Sequence, residues 1–167
     1  MIARSAALQL AQTQLDSWEY NEAGDSLMLL AHETEETPYA WVVYYTSRRW
    51  YETRNNRYAI AGAGPFIVAK HTGRVTQYSS AYSTEAALEK YEEEQQLYGL
   101  RVTADLSSTR TRLLLKKLLS LSNQELLLLI REPGAWAARG GQQRLQELRL
   151  ALLSEGVAAE VLSCFPA

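Results

Sequence analysis

Cysteine is nearly absent from this chain. Cys164 is the only one, so no intramolecular disulfide can form, and that usage fits a reducing compartment. Histidine is almost as scarce. His32 and His71 are far apart and form no metal-ligand spacing, so no zinc site and no other metal or cofactor is expected. No apolar run approaches the roughly 20 residues that a membrane-spanning helix needs. Near the N-terminus, Gln9 and Gln12 interrupt any apolar core behind Arg4, so no signal peptide is read there. There is no Gly-x-Ser-x-Gly elbow and no Gly-Lys-Ser/Thr phosphate loop. Cys164 has no evident base beside it in the sequence. These absences remove disulfide scaffolds, zinc domains, membrane spans and the common hydrolase and nucleotide-binding signatures. They leave a soluble, cytoplasmic protein for which no catalytic residues can be named; the residues alone give an enzyme no support, although residues distant in sequence could still meet in a site.

What is present is a sizeable apolar fraction, 47% of 167 residues, enough for a real core. The net charge of −2 is uneven: residues 1–100 carry 13 acidic and 8 basic side chains, residues 101–167 carry 6 and 9. An acidic front half favours a basic partner and argues against general nucleic-acid binding.

The stretch from Tyr39 to Val75 organises the front half. Tyr39, Trp41, Val43 and Tyr45 alternate with Ala40, Val42, Tyr44 and Thr46, and both sets are largely apolar, which predicts one central strand covered on both faces. Phe66–Ala69 repeats the signal after Pro65, which lacks a ladder donor and belongs at the strand start. Thr72 and Gly73 predict a hairpin turn into a strand over 74–78. Gly62 and Gly64 precede a strand rather than a helix, so they read as a tight turn and not as a phosphate cradle. Before this core, leucine, alanine and tryptophan at 8, 11, 15 and 18 predict a helix over 2–18, broken by 21–25 with Gly24 as its stop. Leu27–Ala31 predicts a first strand. The polar stretch 32–37 reads as a connection. Ser83 predicts a helix cap, with the helix running to about Tyr98 and stopping at Gly99.

Composition turns leucine-rich and basic near residues 101–107, which divides the chain into a front domain, 1–100, and a C-terminal domain, 101–167. In the latter the pattern predicts a helix over 108–121, a strand at Leu126–Ile130 cut short by Pro133-Gly134, a helix over 142–154 stopped by Gly156, and a strand over 157–162. Ser122 and Glu125 also fit a capping box, so a helix competes with the strand there. The fold class is therefore α+β: an N-terminal helix, an antiparallel sheet of at least four strands, a second helix, then a smaller α-β-α-β unit.

Two groups of side chains are candidates for partner binding. The first lies in the long tract 47–64, where Arg48, Arg49, Tyr51, Arg54 and Arg57 interleave with Trp50 and Tyr58. Such mixtures form interface hot spots or bind single-stranded nucleic acid; the competing reading is that Trp50 and Tyr51 extend the preceding strand while the arginines are solvated. The second is Glu85, Glu89, Glu92 and Glu93, crowded on one side of the second predicted helix. Such a run is either a solvated face or an acidic surface for a cationic partner.

The order of signals from Trp41 onward resembles the immunity protein 35 family. The matching residues are Trp41-Val-Val-Tyr-Tyr-Thr46, Trp50-Tyr-Glu-Thr53, Ala61-Gly-Ala-Gly-Pro-Phe-Ile-Val68, Thr72-Gly-Arg-Val75 and the helix ending near Tyr91-Glu92, all in the front half. The resemblance implies a bacterial immunity protein that binds a cognate secreted or contact-delivered toxin and neutralises it, usually by covering its active site, with no catalytic residues of its own. Its partner would be a protein, not a nucleic acid or a membrane. The alternative is a chaperone-like or stress-related protein-binding domain.

Overall fold

The computed structural model describes residues 1–20 and 24–165. Its contacts gather into two compact units, Met1–Ala87 and Leu88–Ala167. The fold is mixed α+β, with antiparallel sheets in both units.

The first unit opens with helix α1, Arg4–Asp16. It ends where the Ser17 amide and hydroxyl turn back onto the Gln14 carbonyl, earlier than the Gly24 stop; residues 21–23 of the predicted breaker lie outside the described residues. Ala7, Ala11 and Leu15, four apart, form its buried face, with Leu8 and Trp18 at the margins. They pack with Val43, Tyr45, Phe66 and Val68 into one core. Trp18 meets Tyr45 edge-on at 5.3 Å and Phe66 at 5.4 Å, and Tyr45 stacks on Phe66 at 5.0 Å. A fully buried aromatic or aliphatic side chain of this kind contributes about 1.5–3 kcal/mol.

The sheet under α1 has four antiparallel strands, in the order β2 (Glu35–Glu36), β3 (Ala40–Val43), β5 (Phe66–Ala69) and β6 (Val75–Gln77). Trp41 lies opposite Val68 and Val43 opposite Phe66. Ala40, Val42 and Ile67, on the other face, are equally closed to solvent. Strand β1 (Leu27–Leu29) is not a member; it pairs instead with β4 (Tyr45–Ser47) in a separate two-stranded ladder. The run Tyr39–Thr46 is thus two strands in two sheets rather than one. The chain leaves the first ladder at Tyr44, whose carbonyl accepts the Leu30 amide at 2.8 Å. Side-chain alternation survives the switch, so Val43 and Tyr45 still share the α1 core; only the backbone partners change. The connection 32–37 contributes the edge strand β2, steadied by Lys70. That buried ammonium bonds Glu36 at 2.6 Å and the Thr37 carbonyl, and lies 4.9 Å from the Trp41 ring. Gly64 meets a close backbone approach: a Cβ there would stand 2.2 Å from the Tyr78 carbonyl oxygen.

After Ser47 the chain forms a short helix, α2 (Arg48–Thr53), so the strand extension favoured for Trp50 does not form and Tyr51 is helical with it. Helix α3 is Thr84–Gln95, with the Ser83 hydroxyl accepting the Ala86 amide at 3.2 Å. It ends short of the predicted Tyr98, because Gln96 adopts a left-handed φ of 49° and the next residues enter strand β7 (Tyr98–Val102).

Strand β7 is the centre of the second unit's sheet, flanked antiparallel by β8 (Trp136–Gly140) and β9 (Ala159–Ser163). Gly99 is therefore a strand residue and not a helix stop. A Cβ on it would lie 2.3 Å from the Trp136 ring, which occupies that space. Helix α4 is Thr109–Leu118, shorter than predicted, with Leu115 fully buried. Leu126–Ile130 belongs to a helix, α5 (Asn123–Arg131), not to a strand. Its capping box is complete: the Ser122 hydroxyl accepts the Glu125 amide at 3.2 Å, and the Glu125 carboxylate accepts the Ser122 amide at 2.8 Å. Helix α6, Gln142–Ser154, has the predicted bounds and buries Leu145 and Leu152. The predicted α-β-α-β tail is thus α-α-β-α-β, with the strand moved to Trp136–Gly140. Among the described residues no helix is long and apolar enough to cross a membrane.

Candidate functional site

The arginine and aromatic candidates come together because Ser47 starts a helix. Its buried hydroxyl accepts the Trp50 amide at 3.0 Å, an N-cap that turns the chain out of β4. The same hydroxyl donates to Asp25. Asp25 also accepts the Arg49 amide at 3.1 Å, the Ser26 amide at 2.7 Å and the Tyr20 hydroxyl at 3.3 Å. Desolvation works to raise the Asp25 carboxyl, but these bonds, led by Ser47, outweigh it and hold the pKa below the ordinary value. One carboxylate thereby ties the start of α2 to the residues that enter β1. Nothing in the spacing of Asp25 announces this role.

Arg48, Arg49, Tyr51 and Arg54 all belong to α2 or its cap, and Arg57 to the single turn Asn56–Tyr58 that follows. Arg54 adopts a left-handed φ of 54° and ends the helix. Its guanidinium lies 4.7 Å from the Trp50 ring and 4.9 Å from that of Tyr51. Arg49 lies 5.2 Å from the Tyr58 ring. Arg48, Arg54 and Arg57 are exposed, while Trp50, Tyr51 and Tyr58 are half-buried. The result is a cationic surface whose side chains are already stacked, so less rotamer freedom is lost when a partner covers it. Beside it a groove of about 450 Å³ is lined by Leu8, Gln12, Leu27, Leu29 and Arg48.

The four glutamates of α3 do not form one solvated face. Glu92 is only 9% exposed, against the expectation, and accepts the Gln142 amide at 2.9 Å. Glu93 accepts the Gly141 amide at 2.6 Å and bonds Arg144, Nε to Oε2 at 3.0 Å. Two carboxylates thus meet the first amides of α6, where the helix dipole is positive and Gly141 offers no capping side chain. Partial desolvation pushes the Glu93 carboxyl up, but Arg144 and Gly141 overcome it and leave the pKa below normal. Glu85 lies in the first turn of α3, and hydrogen bonds from its own amide and the Ser83 hydroxyl lower its pKa. Glu89 is exposed.

His32 pairs with Glu33 at 3.4 Å on the exposed surface. Among the described residues no group of three or more His, Cys, Asp or Glu side chains is arranged to hold a metal ion. What the geometry provides is a set of stacked cations, aromatics and a neighbouring groove suited to contact with another macromolecule. The sequence matches the immunity protein 35 family over residues 5–94. No curated protein and no solved structure matches the chain.

Proposed function

The chain belongs to the immunity protein 35 family, and on that premise we propose that it binds a cognate toxin in the bacterial cytoplasm and neutralises it by covering the toxin's active site. The family match, spanning α1 to most of α3, carries the toxin-neutralising reading. The surface we assign to the toxin is α2 and the turn after it. Arg48, Arg49, Tyr51, Arg54 and Arg57 are gathered there, and arginine and tyrosine are the residue types that most often anchor interfaces. A cationic surface of this kind suits a toxin with carboxylates around its active site. Glu85 and Glu89, both exposed, are the remaining acidic candidates. Glu92 and Glu93 are less suited to a contact role, because each already holds α6. We further propose that the toxin-binding part is the unit Met1–Ala87 and that Leu88–Ala167 is a separate C-terminal unit, because a boundary at residue 100 would cut β7, the central strand of the second sheet.

The experiment uses the toxic domain of a secreted protein encoded by the adjacent reading frame, co-expressed with the full chain. The expected outcome is restored growth and a stable complex with that toxin alone. Tyr51→Ala and Arg54→Ala should each weaken the complex about tenfold or more, and Glu89→Lys should leave it intact. A reversed pattern moves the interface to α3. Suppressed aggregation of unrelated clients with no specific complex defeats the immunity reading in favour of a chaperone.

A further inference from the structure

Beyond that reading, we propose that α4 and α5 form a second docking surface, for an acidic protein segment that carries one bulky apolar anchor. The surface lies outside the residues matched to the family. In α4, Arg110, Leu113, Lys116 and Lys117 are spaced three, three and one apart, so they share a side of the helix. Leu113 on that side is 64% exposed. In α5, Asn123, Leu127 and Ile130 are four and three apart, and Leu127 is 50% exposed. Lys116 Nζ donates to Asn123 Oδ1 at 2.6 Å, which joins the two helix faces edge to edge. A core-forming helix pair hides its leucines; this pair shows several of them to solvent.

Charge identifies the occupant. Between Ser108 and Arg131 the chain carries Arg110, Arg112, Lys116, Lys117 and Arg131 against Glu125 alone. Arg110, Lys117 and Arg131 have no carboxylate partner among the described residues, and Glu125 is spent on its capping box. A second copy docked symmetrically would set these cations against themselves. An anionic ligand is complementary.

The choice between an acidic protein segment and an anionic bilayer rests on shape. Ile130, at the end of the apolar stripe, also lines a cavity of about 320 Å³ with Val102, Leu106, Leu129, Pro133 and Ala135, and Asp105 is the one acid in its wall. A recess of that size receives a leucine, methionine or phenylalanine side chain, as hot-spot pockets do. A bilayer surface has nothing to insert there.

The test selects a phage-displayed library of random dodecapeptides on the full chain, then measures synthetic versions of the recovered peptides. We expect enrichment of Asp and Glu around a Leu, Met, Phe or Trp. Affinity should fall about tenfold in Leu127→Gln and in Lys117→Glu/Arg131→Glu, and should weaken with added salt. All the substituted positions are exposed, so thermal melts matching the parent chain will certify that the variants fold; should one fail, the other still decides. Neutral or basic peptides, no enrichment, or undiminished binding by folded variants would overturn the proposal. So would co-sedimentation with phosphatidylcholine–phosphatidylglycerol vesicles in the absence of peptide binding, or a concentration-dependent dimer abolished by Leu127→Gln. These outcomes are independent of the toxin complex, so either reading can fail without the other.

Discussion

Asp25 and Gly99 are single residues on which whole elements depend. Asp25 spends its carboxylate on Ser47, Arg49, Ser26 and Tyr20, so removing it leaves the first turn of α2 without its outside anchor. Asp25→Ala should lower the urea midpoint with little change in slope. It should also weaken toxin binding through the loosened Arg49 and Arg54, although it is not assigned to the contact surface. Gly99 is constrained by shape instead. With the Trp136 ring 2.3 Å from any added Cβ, Gly99→Ala forces the ring off the strand, and overpacking of this kind costs about 1–3 kcal/mol. Chemical denaturation of the variant, followed by far-ultraviolet circular dichroism, measures that cost. Gly99 reads as a helix stop in one dimension because glycine after a helical pattern usually is one. The ring that requires it is 37 positions away in the chain, beyond the reach of local spacing.

At the scale of elements, legibility follows the range of the determining interaction. Helix α6 is readable because its stops are local, Gly141 before it and Gly156 after it. Helix α1 is readable because its face repeats every three or four residues. Leu126–Ile130 misleads because five consecutive apolar residues carry no period. The capping box at Ser122 decides it, and a nine-residue helix fits before Pro133. Ser122→Ala should therefore cost about 1 kcal/mol, the typical worth of an N-cap, seen as a lower melting temperature in calorimetry. Strand β8 is invisible in Trp-Ala-Ala-Arg-Gly, which has no β-branched residue, because pairing with β7 makes it a strand. The arginine and aromatic group of the candidate site is legible as a cluster, while its helical form is not. The partners of Glu92 and Glu93 are backbone amides some fifty positions on, which a like-charge run reports only as a wet surface.

Across the whole molecule, titration has a definite sign. Asp25, Glu85, Glu93, Asp105 and Glu125 all have pKa values below their ordinary ones. A carboxyl whose folded pKa is depressed binds fewer protons folded than unfolded, so it stabilises the fold above the unfolded pKa, about 4. That stabilisation is lost as pH falls through the folded values. Tyr44, Tyr45 and Tyr98 behave in the opposite sense: desolvation leads in raising their pKa values. Their contribution is complete below about pH 10, the unfolded value, and drains away as pH climbs toward the folded ones. Denaturant midpoints across pH should thus show a broad plateau between the two limits, with a steep acid edge. Glu93→Gln should flatten part of that acid edge.

The indole that fills the space over Gly99 also has an optical consequence. Trp18, Trp41 and Trp50 all belong to the first unit, and Trp136 alone to the second, under the Arg101 guanidinium at 4.9 Å. With the first three replaced by phenylalanine, every photon emitted on selective excitation comes from one half of the chain. The colour of that light then follows the wetting of a single sheet, while the other half unfolds or binds unseen.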